Sequence, residues 1–514
     1  MTLLTVPIAA KSLKEAASQI KAAAKAGAEM LELRADYLED LSTSLVEKLM
    51  LQAKSANLPI IVTPRDSKQG GANEYPDKLR IDVFVAAIKA GADFIDFEFE
   101  NFSGQNQEAI TKTLSENSKS RLILSAHNFE TKFDDIKKLY SQIKEAYSDA
   151  IPKLVYTANH INDCFDAFDL LHEIKDDLIT FCMGQAGLIS RIIAKKLNSF
   201  VTFASIDDKT ATASGQLTIE NFKNLYRYDS ISSDTKLYGI IGSPVAHSLS
   251  PLIHNACFAD IGVNKLYLPL LIEGGKDEFN TFMQNVLERD WLGFKGFSVT
   301  IPHKRNAIDL ARDNKGLVEP LTEKIGAANT LIIDEPKVSV YNTDYAGALD
   351  AVISTLGIAK SDFADMSIAV MGAGGVARAI VAGLHDAKAK VTIYNRTVEK
   401  GEKLAAEFGC SFLPLDDLLD VDAQLFINCT SIGMHPNVDA SPLPKSCLHK
   451  DMAVFDTVYN PPNTLLLKQA GQIGAKTVNG LEMFINQALA QFKLFTGKNP
   501  DLKLMQKILY DRLF

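Results

Sequence analysis

Residues 1–228 repeat one pattern, a short apolar, β-branched run followed by an amphipathic helical stretch. Repeated strand–helix units predict a parallel sheet. Eight units favour closure into a (β/α)8 TIM barrel, which takes roughly 250 residues, over an open doubly wound sheet. The predicted strands are LLTVPI (3–8), EMLELR (29–34), LPIIVT (58–63), DFIDFE (93–98), RLILSA (121–126), IPKLVY (151–156), DLITFC (177–182) and FVTFA (200–204).

The pattern breaks at YDSISSDTK (228–236), a polar stretch typical of a linker. We therefore predict a barrel domain over 1–228 and a linker over 229–236. A second mixed α/β domain is predicted over 237–345.

A third folding unit is predicted over 346–480, where the strand SIAVMGAGG (367–375) leads into a helix and the strand KVTIYNRT (390–397) follows. This order is typical of a Rossmann-like nucleotide-binding domain. The run GLEMFINQALAQFKLF (480–495) predicts a helix, and residues 481–514 are expected to form helices that pack back on the preceding module. The predicted fold class is α/β, a TIM barrel followed by a two-domain module with a Rossmann-like domain.

Composition and charge exclude several classes of protein. With 54 basic and 63 acidic residues the net charge is −9, which argues against a nucleic-acid partner. No apolar run approaches the roughly 20 residues that span a membrane.

The six scattered cysteines form no CxxC pair, so we expect reduced cysteines and no metal site. The N-terminal MTLLTVPIAAKS lacks a signal or transit pattern, which predicts a cytoplasmic location, although a plastid protein without its transit peptide has the same appearance. The oligomeric state stays open, with a monomer among the options.

Polar side chains gather where the barrel strands end. Active sites of such barrels lie at the carboxyl ends of the strands. One imidazole, one amine, several carboxylates and several guanidinium groups are therefore expected at one mouth. These residues are Glu32, Arg34, Arg65, Glu98, Glu100, His127, Lys153, Arg191 and Gln216.

Lys153 lies inside the apolar run AIPKLVY. Desolvation there disfavours the ammonium form, and a neutral amine can attack a ketone to form a Schiff base. His127, on the neighbouring predicted strand, can then remove an adjacent proton. Taken alone, a strand lysine more often reaches solvent and a lone histidine more often serves the core, but their joint placement favours catalysis.

Five segments of this half resemble type I 3-dehydroquinate dehydratase: ELRAD (32–36), TPR (63–65), SAHNF (125–129), the lysine of IPKLVY and GLISR (187–191). The resemblance implies that Lys153 forms the imine with the substrate ketone, while His127 takes a proton from C2 and helps the C1 hydroxyl leave. The residues that it implies as holding the substrate's carboxylate and hydroxyls are Glu32, Arg34, Arg65, Arg191, Thr212 and Gln216.

Two positions depart from the family's pattern. The family usually has Glu-Gly-Gly where this chain has Gln69-Gly70-Gly71, and Ser-x-Pro-Gly-Gln where it has Thr212-Ala213-Ser214-Gly215-Gln216. Threonine keeps the hydroxyl. Gln69 removes a charge, so a dehydratase half impaired by Gln69 is one alternative.

The second half carries two further polar groupings. In GSPVAHSLSPLIHN (242–255), Ser248 and Ser250 precede a helix and can grip a carboxylate, with plain helix capping as the alternative. Lys304, after FSVTIPH, and Asp344, in NTDYAG, can exchange a proton with a substrate oxygen. Each taken alone is more often a surface charge.

The segment VMGAGGVARA (370–379) matches the dinucleotide-binding fingerprint through Gly372, Gly374 and Ala377. It follows a predicted strand and opens a helix, the context in which the fingerprint is meaningful. An NAD site usually has an acid at the end of the next strand, whereas this chain reads Asn395-Arg396-Thr397. The guanidinium favours a 2′-phosphate and therefore NADP(H).

Together with GAANT (326–330), NCTSIGM (428–434), DTVYNP (456–461) and NGLEMFINQ (479–487), these segments resemble shikimate dehydrogenase. The resemblance implies that Lys304 and Asp344 form the catalytic pair. The implied substrate contacts are Ser248, Ser250, Thr300, Asn329, Tyr459 and Gln487. The implied NADP(H) contacts are Gly372, Ala373, Gly374, Gly375, Val376, Ala377, Asn395, Arg396, Thr397, Thr430 and Gly480.

The order of the two halves resembles the fused dehydratase–dehydrogenase of the plant shikimate pathway. It implies dehydration of 3-dehydroquinate to 3-dehydroshikimate and then NADPH-dependent reduction to shikimate, with free diffusion between the sites. A dehydrogenase half that prefers quinate is one alternative. A sensor that only binds such metabolites is another, and the presence of Lys153, His127, Lys304 and Asp344 disfavours it.

Overall fold

The computed structural model describes residues 2–246, 248–334 and 337–513. The chain divides into two compact units, Met1–Lys236 with Asn264–Gly293, and Leu237–Val263 with Phe294–Phe514.

The strands are β1 (Leu3–Ile8), β2 (Met30–Arg34), β3 (Ile60–Thr63), β4 (Phe94–Glu98), β5 (Arg121–Asn128), β6 (Ile151–Thr157), β7 (Ile179–Met183), β8 (Val201–Phe203), β9 (Lys236–Gly242), β10 (Lys265–Leu271), β11 (Phe294–Val299), β12 (Leu317–Val318), β13 (Thr330–Asp334), β14 (Lys337–Tyr341), β15 (Ser367–Met371), β16 (Lys390–Asn395), β17 (Ser411–Pro414), β18 (Leu425–Asn428), β19 (Ala453–Asp456) and β20 (Thr477–Val478). The α-helices are α1 (Leu13–Ala26), α2 (Thr43–Lys54), α3 (Asp77–Lys89), α4 (Gly104–Glu116), α5 (Ile136–Ala146), α6 (Cys164–Glu173), α7 (Leu188–Ile192), α8 (Ser250–Asp260), α9 (Lys276–Leu287), α10 (Lys304–Asp313), α11 (Pro320–Ile325), α12 (Asp344–Leu356), α13 (Gly375–Asp386), α14 (Val398–Phe408), α15 (Leu465–Ile473), α16 (Gly480–Thr496) and α17 (Leu502–Leu513).

The first unit contains the barrel that the sequence predicts. Its eight strands lie in the order β7-β6-β5-β4-β3-β2-β1-β8, and the pairs along this order are parallel. At the remaining seam, the N–H of Phe200 donates to the carbonyl of Leu178 at 2.8 Å. Apolar side chains from every strand pack into one cluster inside the barrel, as expected for strands covered on both faces. The predicted (β/α)8 barrel is confirmed.

The last barrel unit differs from the expected strand–helix pattern. After β8 the chain forms only a short π-helical turn, Asn221–Leu225, instead of a full helix. Arg227 takes a left-handed conformation with φ 53°, which ends any helix here. The turn is followed by Tyr226 and Tyr228, whose side chains are buried.

The segment predicted as a linker (229–236) is anchored rather than loose. The buried Tyr228 donates its hydroxyl to the carbonyl of Thr2 at 2.9 Å, and Lys195 Nζ lies 4.5 Å from the centre of its ring. Thr235 is also buried, and β9 begins directly after it. The polar composition therefore identified a connection but not its attachment to the barrel.

The segment Asn264–Gly293 clusters with the barrel residues in the first unit. Arg289 donates through Nε and Nη2 to the two carboxylate oxygens of Asp169, both at 2.7 Å. Trp291 stacks on His172 with 3.9 Å between ring centres. The domain boundaries predicted from the sequence assign this segment to 237–345, and those boundaries stay predictions.

The second unit holds two sheets. In one, strands of this unit follow the order β9-β11-β13-β14-β12 with mixed directions. In the other, β17-β16-β15-β18-β19-β20 are all parallel. The order reverses beside β15, and such a switch point is where doubly wound sheets bind nucleotides. The predicted Rossmann-like sheet is confirmed.

The C-terminal helices pack within the second unit. Ile253 of α8 shares one apolar cluster with Leu481 and Ile485 of α16 and with Leu509 of α17. An added Cβ at Gly347 of α12 would lie 2.8 Å from the backbone nitrogen of Gln487, so α12 and α16 approach closely. This contact places Gln487 beside the beginning of α12.

Among the described residues, no helix is long and apolar enough to cross a membrane. The same part of the chain contains no group of three His, Cys, Asp or Glu side chains arranged to hold a metal ion. All six cysteines are free.

Replacing Tyr228 by Phe tests the anchor of the connecting segment. The change removes the hydroxyl that donates to the carbonyl of the buried Thr2. We therefore expect a loss of about 1 kcal/mol in the free energy of unfolding. Urea denaturation followed by circular dichroism measures it. Tyr140→Phe, at a half-buried position on α5, is the matched control. Equal midpoints for the two variants would contradict the anchoring role.

Candidate active sites

The barrel interior holds a lysine in an ion pair. Lys153, in the middle of β6, is buried, and its Nζ lies 2.6 Å from Asp96 Oδ2 and 3.8 Å from Glu32 Oε1. The ring of Phe203 lies 4.7 Å from the same nitrogen. These contacts fix the amine inside the barrel.

Asp96 also binds Arg65, whose Nη2 lies 2.8 Å from Asp96 Oδ2. Burial would raise the pKa of Asp96, but the charges of Arg65 and Lys153 hold it well below its usual value. Arg65 donates from Nη1 to Glu98 Oε1 at 3.2 Å and to Ser125 Oγ at 2.6 Å. Burial would lower the pKa of Arg65, but Asp96 and Glu98 raise it. Asp96 and Arg65 therefore hold each other in their charged forms.

This ion pair adds to what the sequence predicts. A desolvated amine was expected at Lys153, and the structure places the carboxylates of Asp96 and Glu32 beside it. The partners come from β2 and β4, which are not adjacent to β6 in the sheet. Their approach across the barrel follows from its closure.

His127 lies near the end of β5, next to β6, as predicted. Its ring stacks on Phe129 with 5.8 Å between centres, and its Nδ1 is buried without a hydrogen-bond partner in the described part of the chain. Burial, and then the charges of Arg65 and Lys153, lower the pKa of His127 well below its ordinary value. The ring is neutral near pH 7 and suited to accept a proton.

Arg191 is a buried cation without a carboxylate partner in the described protein. Its Nε and Nη2 make no hydrogen bond there, and its guanidinium carbon lies 4.5 Å from the centre of the Phe181 ring. Burial lowers its pKa to about 10, so it stays charged at neutral pH. An unpaired buried guanidinium can bind an anion, and its two parallel N–H groups match the two oxygens of a carboxylate.

Glu32 and Arg34 lie at the end of β2 and already have partners. Glu32 Oε1 accepts from Thr63 Oγ1 at 2.9 Å. Arg34 donates through Nε and Nη2 to the two oxygens of Asp36 at 2.9 and 2.7 Å. Burial would lower the pKa of Arg34, but Asp36 raises it. A ligand would share Arg34 with Asp36 and not bind it alone.

Thr212 and Gln216 belong to one loop, where Gln216 Oε1 accepts from the Thr212 N–H at 2.7 Å and from its hydroxyl at 3.2 Å. Gln69, at the departure from the family pattern, donates from Nε2 to Glu100 Oε2 at 3.0 Å. A carboxylate therefore does lie beside position 69, although it comes from another segment.

The second unit brings Lys304 and Asp344 together as predicted. Lys304 opens α10, Asp344 opens α12, and Lys304 Nζ forms an ion pair with Asp344 Oδ2. Asn329 Nδ2 donates to Asp344 Oδ1 at 2.8 Å, and Asn342 Oδ1 accepts from the Asp344 N–H at 2.9 Å. Every polar atom of this carboxylate is therefore held.

Asn329 is the centre of this arrangement. Besides Asp344, it donates to Thr343 Oγ1 at 2.9 Å and accepts from the Thr343 N–H at 2.8 Å. Gln491 of α16, not predicted, donates to the Asn329 carbonyl at 3.0 Å. Its Oε1 accepts from Ser298 Oγ at 2.7 Å, so Gln491 ties Asn329 to β11.

The other predicted substrate contacts lie on neighbouring elements. Ser248 Oγ accepts from the Ser250 N–H at 3.2 Å, so the two serines adjoin at the beginning of α8. Thr300 follows β11, and its N–H donates to the Ile241 carbonyl of β9. The last two come from the C-terminal part. Tyr459 stacks on Phe484 with 5.0 Å between ring centres, and the Gln487 carbonyl accepts from Thr343 Oγ1 at 3.2 Å.

The glycine fingerprint lies between β15 and α13, as expected. Gly372 has φ 115°, a left-handed value that L side chains rarely adopt. Cβ atoms added to Gly374 or Gly375 would meet nothing within 4 Å. The beginning of α13 therefore opens on free space, and its backbone N–H groups fit the pyrophosphate of a dinucleotide.

The remaining predicted cofactor residues divide into two groups. Asn395 ends β16, and Arg396 and Thr397 follow it and are exposed. Thr430 follows β18 at the same edge, where its methyl lies 3.2 Å from a Cβ added to Gly372. By contrast, Ala377 is fully buried and packs α13 onto the sheet. Ala373 and Val376 also pack against this core, and Gly480 begins α16.

Asp96 and Gln491 are the main residues that the sequence analysis missed. Asp96 lies two residues before Glu98 in one strand, and residues two apart in a strand share a face. That spacing could have placed both carboxylates inside the barrel. Gln491 lies four residues after Gln487 in α16, which puts both on one helix face.

Replacing Arg191 by Met should separate stability from function. We expect the apparent unfolding free energy to rise by about 1–3 kcal/mol, because an unpaired buried charge is removed, while binding of an anionic ligand at this position is lost. Thermal unfolding measures the first effect and ligand titration the second. Arg121→Met, at the other end of the barrel strands, is the control. A destabilised Arg191→Met with unchanged ligand affinity would show that Arg191 is structural.

Four family models match consecutive parts of the chain. They are Type I 3-dehydroquinase over 4–233, Shikimate dehydrogenase substrate binding domain over 240–331, Shikimate / quinate 5-dehydrogenase over 356–463 and Shikimate 5'-dehydrogenase C-terminal domain over 480–510.

Individual proteins match over one half or over the whole chain. A shikimate dehydrogenase (NADP(+)) of Methanocaldococcus jannaschii is 40% identical over 55% of this chain and 99% of its own length. A crystal structure of a shikimate dehydrogenase in complex with NADP+ is 38% identical, covers 55% of this chain and 98% of the other, and gives a TM-score of 0.51.

A match over nearly the whole chain comes from Arabidopsis thaliana. Its chloroplastic bifunctional 3-dehydroquinate dehydratase/shikimate dehydrogenase is 35% identical over 99% of this chain and 84% of its own length. With both sites assembled in the matching halves, the chain belongs to the family of bifunctional 3-dehydroquinate dehydratase/shikimate dehydrogenases.

Proposed function

We propose that the chain performs two consecutive steps of the shikimate pathway: it dehydrates 3-dehydroquinate to 3-dehydroshikimate and reduces that ketone to shikimate with NADPH. The observation that carries this proposal is the pairing, on one chain, of the Lys153–His127 site with the Lys304–Asp344 site. The family match over 99% of the chain supports the order of the steps.

In the barrel, the Lys153 amine attacks the substrate ketone, and loss of one water gives an iminium ion. His127 takes the proton from C2, and the resulting electron pair moves toward the iminium to give an enamine. The pair then returns to expel the C1 hydroxyl, which takes the proton held by His127 and leaves as a second water. Hydrolysis of the imine then frees Lys153 and the product. The neutral His127 ring and its proximity to charged Lys153 and Arg65 support this role.

The substrate's carboxylate binds Arg191, whose Nε and Nη2 make no hydrogen bond within the described residues. Glu32, Arg34 and Arg65 face the same mouth, and Thr212 and Gln216, which are hydrogen-bonded to each other, supply further polar contacts to the substrate. The two groups with existing partners, Arg34 and Arg65, orient the hydroxyls and add to the positive field.

In the second unit, Lys304 donates a proton to the ketone oxygen and Asp344 holds the lysine in place. Asn329 fixes the Asp344 carboxylate, and this carboxylate in turn fixes the position of the Lys304 side-chain nitrogen. The substrate's carboxylate binds Ser248 and Ser250. Its hydroxyls and ring contact Thr300, Asn329, Tyr459 and Gln487.

NADP(H) supplies the hydride when it is bound. The open beginning of α13, with Gly374 and Gly375, fits its pyrophosphate, and Arg396 with Asn395 and Thr397 fits a 2′-phosphate. Gly372, Ala373, Val376, Thr430 and Gly480 complete the cleft, and Ala377 supports it from the core.

The finer features stay proposals. The domain boundaries are 1–228, 229–236, 237–345, 346–480 and 481–514, and small-molecule substrates are the partners. A cytoplasmic location and the oligomeric state stay predictions, and the Arabidopsis relative is described as chloroplastic. A quinate preference and a dehydratase half impaired by Gln69 are not favoured.

The two steps should be separable on one chain. With 3-dehydroquinate and NADPH the unaltered protein should oxidise NADPH steadily, measured by nicotinamide absorbance. Lys153→Met should abolish this, by about 10⁴-fold or more, yet still reduce 3-dehydroshikimate. Lys304→Met should slow the reduction by about 10²–10⁴-fold and leave dehydration intact. The assignment would fail if Lys153→Met lost both reactions. It would also fail if the unaltered chain catalysed neither reaction.

Arg396→Ala should raise the KM for NADPH by about 10-fold to 100-fold, because a charge-assisted contact to the 2′-phosphate is lost. The KM for NADH should not change. Initial rates with both cofactors measure this. Lys390→Ala, at the opposite end of β16, is the matched control. Equal effects on both cofactors would remove Arg396 from phosphate recognition.

A further inference from the structure

One buried carboxylate, that of Asp96, lies between two cations of the barrel, Lys153 and Arg65. Asp96 Oδ2 lies 2.6 Å from Lys153 Nζ and 2.8 Å from Arg65 Nη2, and the Asp96 side chain is fully buried. Its other oxygen, Oδ1, is buried with no hydrogen-bond partner among the residues described. Its two short ion-pair contacts therefore both fall on Oδ2.

The titratable groups that face Lys153 come from three other strands and from the segment after β3. Asp96 on β4 makes the short contact, and Glu32 on β2 lies farther away at 3.8 Å and also accepts from a threonine. Arg65, two residues after β3, contributes a positive charge, and His127 on β5 contributes a neutral ring. Asp96 is therefore the direct counter-ion, and no closer carboxylate shares the role within the described chain.

The chemistry places a cation at this nitrogen more than once. The ammonium gives up a proton, the C–N bond forms, and water leaves to give an iminium whose nitrogen carries the positive charge. A fixed carboxylate stabilises such a charge strongly in a site that excludes water. It does so without a reorganisation cost, since Arg65 already holds it in position.

We propose that Asp96 is the counter-ion that holds the Lys153 nitrogen in place and stabilises the iminium formed on it, a role that rests on the proposed imine function of Lys153. Removing its charge leaves Arg65 and Lys153 facing each other. The free amine is then favoured at lower pH, but the iminium is destabilised.

The test compares Asp96→Asn with Glu98→Gln in the full chain. Both remove a fully buried carboxylate of the same ion cluster from β4, but Glu98 contacts Arg65 and Arg80, not Lys153. The readouts are kcat, KM, the pH dependence of kcat/KM, and the fraction of Lys153 that borohydride traps as a reduced adduct with 3-dehydroquinate, measured by mass spectrometry. Reduction of 3-dehydroshikimate by the same preparation reports on folding of the second unit.

For Asp96→Asn we expect kcat to fall by about 100-fold or more, KM to change little, trapping to drop, and the acid limb of kcat/KM to move to lower pH. Glu98→Gln should leave the acid limb and the trapping in place. Full trapping with an unmoved acid limb in Asp96→Asn would reduce Asp96 to a structural residue and overturn the proposal.

Asp96→Glu keeps the test decisive if Asp96→Asn does not fold. It keeps the charge but displaces it, so the acid limb should stay while kcat falls by about 10-fold. An acid limb that moves in Asp96→Glu would contradict the proposal. Failure to trap any adduct on Lys153 in the unaltered chain would instead refute the imine function itself.

Discussion

Pairing of buried charges governs the barrel. Asp96 contacts Lys153 and Arg65, and Glu98 contacts Arg65 and Arg80 of helix α3, so each of these buried carboxylates contacts two cations. An unpaired buried ion costs several kcal/mol, so such a cluster persists only when every member has a partner. Arg191 of the same barrel has no carboxylate partner among the described residues, which is why we propose that it binds the carboxylate of the substrate.

In the second unit, uncharged groups position the carboxylate that pairs with Lys304. Asn329 donates to the carboxylate of Asp344, the Asn342 side chain accepts from the Asp344 main-chain N–H, and Gln491 from the C-terminal helix α16 fixes Asn329. The Asn329 amide orients the carboxylate without adding charge. The position of α16, far along the chain, thereby determines the aim of Lys304 at the start of α10.

The eight strands and the polar residues at their ends could be predicted because the hydrophobic period and the barrel topology determine both. The contact between Asp96 and Lys153 was not predicted, since Asp96 lies within the run DFIDFE and reaches Lys153 only across the closed barrel. The strand pattern places Asp96 on the interior face with Glu98, but the distance to Lys153 depends on the closure of the sheet. Gln491 was missed because its contacts depend on how α16 packs.

The roles proposed for the two lysines make opposite demands. A nucleophilic amine has to lose a proton before it attacks a ketone, whereas an acid has to keep the proton that it donates. Each lysine has a carboxylate partner, but Asp96 is shared between Lys153 and Arg65, while Asp344 lies between Lys304 and the neutral Asn329. The second cation beside Asp96 is therefore the main difference between the surroundings of the two lysines.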